Sequence, residues 1–160
     1  MGFREFFYED KFVGVEFAEE TRLKLTAYCL ENGLDITKNF KGEYVQPIDF
    51  DFHVTIFYTA DEPKIPMSDG FWWVDPFEVE ASHIEMMGHN YDTPAIILKP
   101  TKELLQVRKF FEVKYDLIDE WYQFKPHISL TYNYQGFPDI DILELPDFPL
   151  IVNKLKIKES

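Results

Sequence analysis

Two short stretches carry the residue types needed to move a proton beside a phosphate. One is Asp51-Phe52-His53-Val54-Thr55-Ile56-Phe57-Tyr58, the other Pro126-His127-Ile128-Ser129-Leu130-Thr131-Tyr132. Each sets a histidine two residues before a hydroxyl. Both alternate and are rich in β-branched and aromatic residues, which predicts strands. Residues two apart on a strand share a face. His53 therefore sits beside Thr55, and His127 beside Ser129, with Val54, Ile56 and Ile128 turned away. An imidazole titrates near neutrality, so it can take a proton or give one. A neighbouring hydroxyl can hydrogen-bond a phosphoryl oxygen as charge builds on it.

A single such pair says little, because a core histidine bonded to a nearby hydroxyl leaves the same trace. The pattern gains weight by recurring. The chain has four histidines and 12 Ser plus Thr among 160 residues, so two matches at this spacing are not expected of random placement. Two histidines also suit one reaction. Where a ribose 2′-hydroxyl lies next to a 3′–5′ phosphodiester, a neutral imidazole can take the hydroxyl proton, and the oxygen then attacks phosphorus. The opposite imidazole, protonated, gives its proton to the leaving 5′-oxygen. The product carries a 2′,3′-cyclic phosphate, which water opens with the two roles reversed. These steps need no metal. The motifs do not say which histidine is base and which is acid.

The elements that hold the two stretches form a repeat. A strand at 12–17, a helix at 19–32 and the His53 strand make one copy. A strand at 95–98, a helix at 101–118 and the His127 strand make the other. Acids open the first helix and Gly33 is placed to end it; its expected buried stripe is Leu23, Ala27 and Leu30. Thr101 is placed to cap the second, whose stripe is Leu104, Val107, Phe111 and Ile118. Strand-like sequence also falls within 71–87, and a last strand at 150–157. Pro- and Gly-containing segments at 59–70 and 135–149 read as loops able to cover a cleft. The expected fold is α+β, two-lobed, with a pseudo-twofold repeat of strand–helix–strand units (about 12–90 and 91–158) in a single domain, and antiparallel-rich sheets lining a central cleft.

Composition bounds the partners. At 46% hydrophobic and 18% aromatic, the chain of 160 residues can bury a real core. No apolar run is long enough for a membrane span, and charges near the N-terminus do not fit a signal peptide. A lone cysteine, Cys29, allows no internal disulfide. A soluble cytoplasmic protein is expected. The net charge of −13 disfavours long nucleic acid, which needs clustered Lys and Arg, but leaves room for a small nucleotide.

Stacking surfaces for bases could come from Phe12, Trp72, Trp73 and Tyr132; core packing is the competing role for each. Trp121 and Tyr122 read as an anchor for the second helix. Lys125 could place a positive charge beside His127. The spacing of His83, Glu85, His89 and Asp92 fits no standard metal site, so no metal and no cofactor is expected. Cys29 reads as core, and the alternation Lys154-Leu155-Lys156-Ile157-Lys158 as an edge strand guarded by lysines.

From Phe12 to Tyr134 the sequence resembles the 2H phosphoesterase superfamily, whose signature is two H-x-[ST] motifs. They stand here as His53-Val54-Thr55 and His127-Ile128-Ser129. Within it, Phe12-Val13-Gly14-Val15-Glu16-Phe17, Glu19-Glu20-Thr21, Phe52-His53-Val54-Thr55 and Lys125 to Tyr132 are similar to the phage anti-CBASS cyclic-oligonucleotide phosphodiesterases. Ser129 departs from the Thr usual in that group but keeps the hydroxyl. The resemblance implies catalysis by His53, Thr55, His127 and Ser129. It also implies substrates that are cyclic di- or trinucleotide messengers of bacterial antiviral signalling, and action in the host cytoplasm. Two alternatives stay open: an RNA 2′,3′-cyclic phosphodiesterase or 2′–5′ RNA ligase-like enzyme, and a binding protein that sequesters a messenger uncut.

Overall fold

A computed structural model describes residues 11–58, 70–88, 90–114 and 124–159. The expected loop at 59–70 therefore lies almost wholly outside the described residues, as do His89, Ile118, Trp121 and Tyr122. The chain runs β1 (Lys11–Phe17), α1 (Glu19–Glu31), β2 (His53–Tyr58), β3 (Gly70–Val79), β4 (Ala81–Met87), β5 (Thr93–Leu98), α2 (Lys102–Lys114), β6 (His127–Ser129) and β7 (Leu150–Glu159). Short 3-10 turns lie at Pro47–Asp49 and Ile140–Ile142.

Among the described residues the strands form one seven-stranded sheet in the order β3-β7-β1-β2-β6-β5-β4. Every pairing is antiparallel. The fold is α+β and built on strand–helix–strand units, as the repeat predicts. Its two lobes are halves of one continuous sheet, and the two histidine strands are hydrogen-bonded neighbours at its midline. β1 and β2 fill one side of that midline, β5 and β6 the other. β7 joins the side of β1, and β4 joins the side of β5, so each half of the sheet takes in a strand from the other repeat.

One face of the sheet is the core. Val13, Val15, Val54, Ile56, Ile96, Leu98, Ile128, Val152 and Ile157 are buried there with Leu25 and Cys29 of α1 and Leu104 and Phe111 of α2. Burying apolar area on this scale is the main stabilising term. Alternation then leaves His53, Thr55, His127 and Ser129 on the other face, which no described helix covers.

Three expectations need correction. In α1, Leu23 and Leu30 are 42% and 53% exposed, and the buried set is Thr21, Leu25, Thr26, Tyr28 and Cys29. Polar anchoring decides the face. The Thr21 hydroxyl donates to the Pro149 carbonyl and accepts from the Ile151 N–H, and the Tyr28 hydroxyl donates to the Glu144 carbonyl. Thr101 does not cap α2 through its side chain. Its carbonyl accepts from the Leu105 N–H, and its hydroxyl is buried without a partner among the described residues. Finally, β7 is not an edge strand, because β3 pairs with its outer side.

Arg108 was not singled out by the sequence, yet it is buried within α2. The β1–β2 ladder pairs Val13 with Phe57 and Gly14 with Thr55, so Ile56 is the extra residue of a bulge. Arg108 Nη1 donates to the carbonyl this frees, at 2.7 Å. Its guanidinium also lies over the rings of Phe57 and Phe124 and pairs with Glu112. The helix thus grips β2 one residue beyond Thr55.

Candidate active site

The register at the midline pairs Val54 with Ile128. In an antiparallel pair the flanking residues then stand opposite each other: His53 across from Ser129, and Thr55 across from His127. The four candidate residues form one cluster on the open face. Each histidine has the hydroxyl of its own motif beside it and that of the other motif across from it.

Both rings are held alike. His53 Nδ1 lies 3.2 Å from the Asp51 carbonyl, and His127 Nδ1 lies 2.9 Å from the Lys125 carbonyl. A carbonyl only accepts, so Nδ1 carries the hydrogen in both rings. Nε2 is left as the working atom in each, a base when the ring is neutral and an acid when it is charged.

Their surroundings differ. Asp51 Oδ2 is 3.5 Å from His53 Nδ1. Burial works to raise the Asp51 carboxyl, but the hydrogen bond and charge of His53, helped by Glu16 and Lys158, hold it well below the ordinary carboxylate range. Glu16, paired with His53 across the β1–β2 ladder, is pushed up by burial and by its hydrogen bond to Asp51, against the pull of Lys156 and Lys154. His127 has Lys125 in the place of Asp51. Burial pushes His127 below the ordinary value of 6.5; the charges of His53 and Lys125 act the same way, against the Lys125 carbonyl bond and Glu85.

Phe12 packs edge-on to His53, centroid to centroid 4.9 Å. It can fold over the sheet because residue 14 is glycine: a Cβ there would lie 2.5 Å from Phe12 Cζ and 3.2 Å from the Val54 carbonyl oxygen. Tyr132 stacks on Phe50 at 5.6 Å and meets Phe40 edge-on. That ring is thus engaged by two aromatic neighbours within the protein. Burial pushes the Tyr132 hydroxyl above its ordinary value, with Ser129 acting against that rise.

Trp73 pairs with Lys154, Lys154 with Glu16, and Glu16 with His53, so all four lie in one row on the site face. Trp72 pairs with Leu155, which packs against the core, and so lies on the opposite face from the histidines. Both tryptophans are exposed, at 46% and 68%. Lys125, besides its carbonyl bond, pairs with Glu85 on β4. His83 Nε2 lies 3.6 Å from Glu85, and its Nδ1 is bonded to Ser82. Cys29 is buried and its thiol is pushed up to about 12 by that burial, which makes it an inert core residue. A shallow depression of about 390 Å³ lined by Gln106, Lys109, Phe110, Val113 and Lys114 lies on the outer side of α2 and includes none of the site residues.

No family model matches the sequence, and no curated protein matches it. Among solved structures the chain aligns with E. coli LigT complexed with phosphate, at a TM-score of 0.48 and 12% identity, over 96% of this chain and 88% of that one.

Proposed function

We propose that the protein is a phosphodiesterase of the 2H type that cleaves 3′–5′ bonds of cyclic di- or trinucleotides through attack by the ribose 2′-hydroxyl. The observation that carries this reading is the cluster itself: two imidazoles with free Nε2 atoms and two hydroxyls, interleaved across one strand pair. General acid–base catalysis at a phosphodiester calls for those groups, and binding alone does not.

The asymmetry of the cluster supports an assignment of roles. His127 is half-buried, has a lysine beside it and favours the neutral form, which suits the base that takes the 2′-hydroxyl proton. His53, with the Asp51 carboxylate 3.5 Å from Nδ1, is then left as the acid that protonates the leaving 5′-oxygen. Thr55 and Ser129 donate to the non-bridging oxygens as phosphorus becomes five-coordinate. Attack breaks one P–O5′ bond, forms one P–O2′ bond and opens the ring to a linear product ending in a 2′,3′-cyclic phosphate. Water then opens that phosphate with the roles exchanged. Because the imidazoles handle both protons, the reaction should run in EDTA.

The choice of a cyclic messenger rests on the sequence resemblance and on the acidic surface, which disfavours RNA ends. Such an activity would disarm cyclic-oligonucleotide antiviral signalling in the bacterial host cytoplasm. The test is to incubate the protein in EDTA with cyclic di-AMP and, separately, with RNA ending in a 2′,3′-cyclic phosphate. Cleavage of the first is expected. Cleavage of the second alone would point to the RNA-processing alternative, and tight binding without cleavage to a sequestering protein.

A further inference from the structure

We propose that Lys154, Lys156 and Lys158 of β7 form a subsite for a second phosphate, the one not being cut. This deepens the phosphodiesterase reading and rests on it for the identity of the ligand.

Placement comes first. β7 lies inside the sheet, so its lysines do not guard an edge. A bulge between the Glu16 and Phe17 pairings sets the strand's phase: Val152 and Ile157 point to the core, and the three lysines to the face that carries the histidines. Lys154 pairs with Glu16, Lys156 with Gly14 and Lys158 with Phe12, each on the strand next to β2. The ladder thus runs parallel to His53 and Thr55, two strand spacings away, roughly 10 Å. A lysine stem can lean across part of that distance.

Charge points the same way. Lys154 and Lys156 Nζ lie 3.9 and 3.7 Å from the Glu16 carboxylate, and Lys158 Nζ lies 3.5 Å from Asp51. Three ammonium groups thus face Glu16 and Asp51, with the Glu19 carboxylate acting on Lys154 as well, so cations are concentrated on this patch of a protein whose net charge is −13. The long separations leave ammonium protons for another acceptor. The groups are also held in place: Lys154 Nζ lies 5.0 Å from the Trp73 ring and 5.2 Å from the Phe71 ring, and Lys158 Nζ lies 5.3 Å from that of Phe12. Phe71 and Trp73, exposed beside the ladder, offer faces to the base that accompanies such a phosphate. A substrate with two phosphodiesters would span the row from His53 to Trp73.

The test uses binding, so that it is independent of turnover. In a His127→Ala background, affinities for cyclic di-AMP (two phosphodiesters) and adenosine 2′,3′-cyclic phosphate (one) are compared with and without Lys154→Gln and Lys156→Gln. The ratio of the two affinities is expected to fall at least tenfold in the double variant, and the salt dependence of cyclic di-AMP binding to weaken. Lys154→Arg with Lys156→Arg should restore the ratio to within about threefold, which also controls for misfolding. An unchanged ratio, or binding of neither nucleotide by the parent, overturns the subsite. Failure of the wild type to cleave either compound would instead refute the catalytic reading while leaving the affinity comparison intact.

Discussion

His53 stands directly across the β2–β6 pair from Ser129, on the same face of the sheet. Each motif thereby places a hydroxyl opposite the other motif's histidine as well as beside its own. In the proposed mechanism the two motifs then act as one site.

Removing either hydroxyl should therefore harm the whole site. Thr55→Ala and Ser129→Ala are each expected to lower kcat by about a hundred- to a thousandfold, the range for losing one donor to a developing oxyanion. The double variant should lose less than the product of the two, because the donors serve the same two oxygens. Steady-state kinetics on cyclic di-AMP checks both statements.

The proposed roles of the histidines separate with the leaving group. A nucleoside 3′-(4-nitrophenyl) phosphate releases a phenolate that does not need a proton. On it, His53→Ala should keep most of the wild-type rate, and His127→Ala should lose a hundred- to ten-thousandfold. The reverse pattern would exchange base and acid.

The pH profile carries a sign. In the proposed role of base His127 must be neutral, and burial holds its pKa below 6.5. Protonation of this ring therefore begins at a lower pH than for an ordinary histidine. The acid limb of kcat/KM should fall with a midpoint below 6.5 in the wild type, and should be absent from the residual activity of His127→Ala. A midpoint at or above 6.5 would contradict the assignment.

Gly14 should resist substitution for a steric reason. Any side chain at position 14 must displace the Phe12 ring from its place against His53. Gly14→Ala is expected to cut kcat about ten- to a hundredfold through misplacement of the imidazole, with the folded sheet retained by circular dichroism.

Arg108 tests the support beneath the site. Arg108→Met leaves the Ile56 carbonyl and the Glu112 carboxylate without this partner. It should lower stability in urea by about 2–4 kcal/mol at an unchanged m value.

Much of this architecture could be read from the chain, and the remainder shows why some of it could not. The histidine strands were legible because alternation, β-branching and the i, i+2 rule are local. The asymmetry between the copies was also on view two residues upstream: Asp51 before His53, Lys125 before His127. The face of α1 was not legible, since Thr21 and Tyr28 are buried by bonds to backbone at 144–151, more than a hundred residues away. The lysines of β7 were misplaced for a similar reason. Alternation shows which face a residue takes, but whether a strand has a neighbour on both sides depends on topology. Arg108 falls on the Leu104–Phe111 face of its helix, but a guanidinium there reads as surface by residue type, and the Ile56 carbonyl, the Phe57 and Phe124 rings and Glu112 are what hold it buried. Glu16 enters the site solely through cross-strand pairing.

The central claim is that the 2′-hydroxyl attacks and the two histidines move its protons. The most direct measurement is a time course of product masses from cyclic di-AMP in EDTA and H₂¹⁸O, beside its 2′-deoxy analogue. The predicted result is an early linear product with a 2′,3′-cyclic phosphate and no ¹⁸O, a later monophosphate with one ¹⁸O, and no cleavage of the deoxy compound. An ¹⁸O label in the first product to appear, or rapid cleavage of the deoxy analogue, would contradict it.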